Sequence, residues 1–180
     1  MNKSSKVRSR MMSSVRQKNT KPELVVRKLL RSARFRYRLH DRALPGTPDI
    51  VLPKYNTAIF VHGCFWHYHQ NCRYSKIPAS NSEFWKTKLE KNAKRDNEKT
   101  QLLIKSEWRV IVVWGCGIKE KNSTLQGVLF EILKNQSKCS YYEIGISALE
   151  IMTGKARNSK ESINQKYNLF ANFHLSLAQS

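Results

Sequence analysis

The sequence predicts an α/β fold in which helices flank a mixed sheet, and three observations carry the prediction. An unbroken β-branched run, Val110-Ile111-Val112-Val113 between Trp108 and Trp114, needs apolar cover on both faces. Thr20-Lys21-Pro22-Glu23 is a strong helix start, with a capping threonine, a first-turn proline and a glutamate three residues on. Helix, strands, a long helix and a further strand then follow in the order of an α/β domain.

Taken in order, the helix opened by Thr20 should run to about Arg34, and Phe35-Arg36-Tyr37-Arg38-Leu39 alternates with the period of a half-buried strand. Leu44-Pro45-Gly46-Thr47-Pro48 turns the chain into two strands near 49–53 and 57–61. Ser80 and Glu83 read as a second capping box, opening a helix over much of 81–106 with Trp85, Leu89, Leu102 and Leu103 as apolar anchors. Leu125, Val128, Leu129, Ile132 and Leu133 recur at helical spacing, and Tyr141 to Ile146 reads as a strand. The expected organisation is a basic arm over 1–19, a folded domain over 20–135 and a C-terminal extension over 136–180 whose role the sequence does not reveal.

Charge sets the class of partner. The 180 residues hold 33 Lys and Arg against 13 Asp and Glu, a formal net charge of +20, and 14 of the basic residues precede Ala43 against two acids, Glu23 and Asp41. An excess concentrated in one stretch is a footprint for phosphates, so nucleic acid is the expected partner. No apolar run reaches the roughly 18 residues of a membrane helix, and the N-terminus lacks the apolar region of a secretory signal. A cytoplasmic protein is expected, one in which four cysteines point to metal or reactive thiols rather than disulfides.

Residues 62–72, His-Gly-Cys-Phe-Trp-His-Tyr-His-Gln-Asn-Cys, concentrate metal ligands, proton-transfer groups and large rings in one loop. Cys64, His69, Cys72 and Cys116 make a Cys3His set suited to a closed, structural zinc. Buried free thiols are the plainer reading, and Cys139 lies apart as a spare thiol. Asp49 opens a strand after a turn, where a carboxylate can hold magnesium, and His62 and His67 leave the next strand. That is equipment for phosphodiester hydrolysis.

Pro45-Gly46-x-Pro48-Asp49, His62-Gly63-Cys64-Phe65-Trp66-His67, Glu83-Phe84-Trp85, Lys91-Asn92-x-x-Arg95-Asp96 and Val113-Trp114-x-Cys116 resemble, in this order, the very short patch repair mismatch endonucleases. The resemblance spans roughly residues 8–120. It implies a restriction-endonuclease-like fold that nicks one strand beside a T·G mismatch with magnesium and carries a structural zinc. By position it makes Asp49 and the main-chain carbonyl of Val61 the magnesium ligands, Val61 standing where the family usually has Thr. It makes His67 the activator of the attacking water, Asp96 its orienting partner, His62 an aid at the phosphate, and Glu23 the holder of a water beside the cation. Phe65, Trp66 and Trp85 would enter the base stack, with Met12 of the arm inserting from the opposite side. Gln70-Asn71 lengthens the loop before Cys72, where the family varies.

Plainer roles compete at several positions: Glu23 as a helix cap only, Asp96 as a solvated charge, His62 as an internal hydrogen-bonding group, Trp85 as core. Two other functions stay open, a zinc-stabilised nucleic-acid-binding module without catalysis and a restriction-type nuclease cutting paired DNA. One catalytic centre suffices for a nick, so a monomer is expected, with mismatch-repair proteins as further partners.

Overall fold

The computed structural model describes residues 18–120, 122–134 and 140–145. Met12 and nearly all of the basic arm, Cys139 and most of the C-terminal extension lie outside the described residues. Helix α1, Lys21–Ser32, starts as its sequence dictates: the Thr20 side chain accepts from the Glu23 amide, and the Glu23 carboxylate accepts from the Thr20 amide. It stops two residues short of Arg34, which sits at φ 59°, outside the helical region.

The alternating segment that follows forms a strand only at its end, β1, Arg38–Leu39. Phe35 and Tyr37 turn inward as the pattern predicts, but Leu39 is 42% exposed on the sheet edge. Gly46, at φ +78°, carries the next turn, where an added Cβ would lie 3.0 Å from Lys99 Cβ and 3.3 Å from Phe60 Cζ. Strand β2, Ile50–Leu52, leads through a 3-10 turn, Pro53–Tyr55, into β3, Thr57–His62.

Helix α2, Ser82–Lys105, is long as expected, but its capping residue is Asn81 rather than Ser80. Asn81 is left-handed at φ 57° and makes no side-chain cap, so the expected Ser80–Glu83 box does not form. Strand β4, Arg109–Trp114, runs directly into α3, Gly115–Glu120, a short helix the apolar pattern did not disclose. Helix α4, Asn122–Lys134, and strand β5, Tyr141–Ile144, complete the described elements. The sheet thus runs past residue 135.

The five strands lie in sequence order, antiparallel from β1 to β3 and parallel from β3 to β5. Parallel neighbours need a long return, which α2 supplies between β3 and β4. Alternation divides the core into two clusters. Ile59, Ile111 and Val113 face Val26 and Leu30 of α1 and Leu129 and Leu133 of α4. Ala58, Phe60, Val110, Val112 and Trp114 face the opposite way, with Leu103 of α2, Cys64 and Cys116.

Arg109 ties the layers at the far end of the sheet. Its guanidinium donates to Thr57 Oγ1, to the Tyr55 carbonyl and to the Ile132 carbonyl near the end of α4. At the other end the carboxyl termini of β3 and β4 and the start of β2 meet, the usual place for a site in an α/β sheet.

Candidate active site and thiol cluster

Asp49 stands immediately before β2, next to the last residues of β3. Its Oδ2 accepts the Val61 amide at 2.7 Å. An extended residue sends its N–H and C=O out along the same strand edge, so the Val61 carbonyl also leaves β3 on the Asp49 side. Burial pushes the Asp49 carboxyl up; the Val61 hydrogen bond, the nearby His67 and Arg27 offset this in part.

Glu23 reaches the same place from α1. It is 1% exposed, pairs with Arg27, and its Oε1 lies 3.2 Å from His40 Nε2. His40 Nδ1 in turn lies 3.9 Å from Asp49 Oδ1. One ligand atom from each of Glu23, His40 and Asp49 falls within 4.8 Å of the others. Glu23 is therefore both the helix cap and a member of this cluster. Two carboxylates beside a strand-edge carbonyl give the oxygen donors a hard cation such as magnesium requires, and a bound cation would offset the charge that burial disfavours on Asp49.

His62 ends β3 on the face that Phe60 and Trp114 share. Its ring stacks on His67 with centroids 3.8 Å apart and planes 5° apart. Burial pushes the His62 imidazole down to about 3, with His67 and His69 acting in the same direction and Asp96 opposing, so the ring is neutral near pH 7. His67 Nδ1 lies 2.7 Å from Asp96 Oδ2. Burial raises the Asp96 carboxyl, but the hydrogen bond and charge of His67, together with His62 and Arg95, outweigh it and bring the carboxyl below its ordinary value.

The loop between these histidines is held by its own backbone. The His67 amide donates to the Gly63 carbonyl, the His69 amide to the Cys64 carbonyl, and Asn92 of α2 donates to the Trp66 carbonyl at 3.0 Å. Tyr68 and Asn71 take positive φ, which folds the loop back on itself. Cys64, His69, Cys72 and Cys116 thereby converge, with ligand atoms within 4.8 Å of one another. Sulfur ligands on a tetrahedral zinc stand about 3.8 Å apart, so the spacing and the thiol-rich donors fit that ion. Hydrogen bonding from Cys116 draws Cys64 down to about 4 against the effect of burial, whereas burial pushes Cys72 up. Beside the cluster, Trp114 lies flat on His69 at 4.0 Å.

The aromatic side chains gather outside the core clusters. Phe65, Trp66 and Trp85 touch one another edge to face with centroids 5.2–6.1 Å apart, and Phe84, 57% exposed, extends the group from Trp85. Lys88 Nζ lies within 6 Å of three of these rings. Trp85 is half-buried here, not part of the packed interior.

A family model described as DNA mismatch endonuclease Vsr matches residues 2–73. The type II nicking enzyme V.XorIIP of Xanthomonas oryzae pv. oryzae is 49% identical over 110 residues, covering 61% of this chain and 80% of that protein. The type II nicking enzyme V.NmeAIP of Neisseria meningitidis serogroup A is 48% identical over 114 residues, covering 63% and 81%. DNA mismatch endonuclease Vsr of Escherichia coli strain K12 is 37% identical over 127 residues, covering 71% and 81%. The chain belongs to the Vsr mismatch endonuclease family.

Vsr membership implies a restriction-endonuclease-like fold, and the mixed sheet with helices on both faces agrees with it. In this Vsr chain the structure also gathers residues the sequence did not single out as functional. His40 bridges the two carboxylates from a position with φ 49°, at the end of what read as an ordinary strand. Lys88 and Asn92 were visible in principle: Trp85, Lys88, Asn92 and Asp96 recur at spacings of three, four and four, one stripe along α2.

Proposed function

We propose that this member of the Vsr family is a DNA mismatch endonuclease that hydrolyses one phosphodiester bond beside a T·G pair, with magnesium at the Asp49 site and zinc at the thiol cluster. Family membership supports the mismatch endonuclease reading. The observation that carries its chemistry is the His62–His67 stack anchored by Asp96 and adjoining the Asp49–Val61 contact.

Asp49, with the Val61 carbonyl, would hold the cation, and Glu23 would lie at its edge. A magnesium ion bound there supplies Lewis acidity that stabilises charge developing on the phosphate. Asp96 accepts a hydrogen bond from the Nδ1–H of His67 and so leaves the lone pair of the neutral ring on Nε2, where it can take a proton from an attacking water. His62, neutral and buried against His67, keeps that ring from turning and presents no competing charge. Phe65, Trp66 and Trp85 would wedge into the base steps around the mismatch, where a wobble pair resists unstacking least. The basic surface contacts phosphates without reading sequence.

Incubating the full chain with magnesium and end-labelled duplexes that differ by one T·G pair tests this. The expected result is a single nick in one strand of the mismatched duplex. Equal cutting of the paired duplex would instead select a restriction-type nuclease, and binding without cutting a catalytically silent DNA-binding module.

A further inference from the structure

Between the thiol cluster and the histidine pair stands one side chain that neither site uses. Trp114 ends β4 and is in register with His62 on the neighbouring strand, so the two rings share one face of the sheet. The indole lies flat against His69, 4.0 Å away with planes 3° apart, and presents its edge to His62 at 5.3 Å and 70°. His62 then stacks on His67, which bonds Asp96. Four rings therefore stand in series from a thiol-cluster ligand to the imidazole assigned to the water.

A flat ring could still turn about its side-chain bonds, but this one is pinned. Its Nε1–H donates to Glu143 Oε2 at 3.2 Å, and Tyr141 donates to the other oxygen of Glu143. Glu143 reaches Trp114 from β5, beside Val112 in the register of the sheet. The indole is 7% exposed, and a buried N–H of this kind is normally satisfied. The carboxylate thus sets the rotation of the ring that sets the plane of His62.

We infer that Trp114 and Glu143 are positioning residues for the reaction: they transmit the rigidity of the thiol cluster to the His62–His67 pair and hold His67 at its working angle. The inference rests on the assignment of His67 above. Chemistry at a phosphate is sensitive to misplacement of this kind, about 10²-fold in rate for 1 Å.

The test uses the full-length, zinc-loaded chain carrying Trp114→Leu, Trp114→Phe, Glu143→Ala or Glu143→Gln, with His67→Ala in parallel. Bound zinc, affinity for a T·G duplex, single-turnover nicking rate and the imidazole resonances of His62 and His67 are measured for each. Trp114→Leu should slow nicking by about 10²-fold, and Glu143→Ala should also slow it, both with one zinc per chain, unchanged duplex affinity and shifted His62 and His67 resonances. Glu143→Gln, which restores a hydrogen-bond acceptor, should recover most of the rate, and Trp114→Phe, which keeps a flat ring but offers Glu143 no N–H, should nick faster than Trp114→Leu and more slowly than wild type.

Wild-type rates and unshifted resonances in Trp114→Leu and Glu143→Ala, beside an inactive His67→Ala, would overturn the inference and leave the nuclease reading standing. Nicking by His67→Ala would overturn that reading itself. If Trp114→Leu loses its zinc, Glu143→Ala decides, because it removes neither the indole nor a thiol; slow nicking with bound zinc supports the inference, and a normal rate overturns it.

Discussion

Asp96 Oδ2 and His67 Nδ1 lie 2.7 Å apart, bringing a carboxylate from the middle of α2 to the loop that leaves β3. A carboxylate only accepts, so Nδ1 carries a proton, and in the neutral ring the lone pair is then on Nε2. Asp96→Asn offers an amide that also donates and so favours the other tautomer. Nicking should fall by about 10²-fold or more, with duplex affinity unchanged, as single-turnover kinetics beside a binding isotherm will show. Because the native Asp96 carboxyl lies below its ordinary value of 3.8, its contribution to stability is complete above 3.8 and lost as pH falls through the lower native value. Thermal melts of wild type and Asp96→Asn should therefore converge in acid.

Asp49 has the opposite sign. Burial raises its carboxyl above 3.8, so ionisation weakens the fold: the neutral form is fully stable below 3.8, and that stability is lost as pH rises through the raised native value. In cation-free buffer at neutral pH, Asp49→Asn should melt higher than wild type. The gain should vanish in acid, and nicking should be absent. Differential scanning calorimetry across pH measures this trade of stability for function.

How far the site was legible follows from these residues. Thr20 and Glu23 act over three residues, so the capping box was readable, as was the β4 run that both faces cover. The Asp96–His67 contact spans 29 residues and was reached through the family resemblance, whereas the Arg109–Tyr55 contact spans 54 and no local pattern encodes it. The short β1 was overestimated because alternation signals burial but not pairing: Phe35 and Tyr37 are half-buried against the core without a partner strand in register. Ser80 was misread as a cap because the left-handed turn at Asn81 starts α2 one residue later. His40 escaped because its role comes from where the chain turns after β1, which composition does not state.

Thiol removal should be structural in effect. Cys116 is fully buried between β4 and the His69 loop. Cys116→Ser should lose the metal and unfold the loop with it, since a structural zinc contributes on the order of 10 kcal/mol. Elemental analysis should give one zinc per chain for wild type and none for the variant, whose melt should broaden or disappear.

The ring group should matter to DNA and little to folding. Trp66 is half-buried outside the core clusters, so Trp66→Ala should leave the melting temperature nearly unchanged. Base stacking on an aromatic side chain gives about 1–3 kcal/mol, so affinity for a T·G duplex should fall by roughly 10-fold or more. Titration of tryptophan fluorescence with mismatched and paired duplexes measures both the loss and the discrimination.

The account turns on Asp49, just before β2 and bonded to Val61 of β3, and His67, in the loop that leaves β3, acting together on one phosphate. Single-turnover nicking of a T·G duplex by Asp49→Ala and His67→Ala, each checked for bound zinc and duplex affinity, measures this most directly. Both variants should keep zinc and duplex and lose nicking, and the double variant should be no slower than either one. Nicking at the wild-type rate by either variant would contradict it.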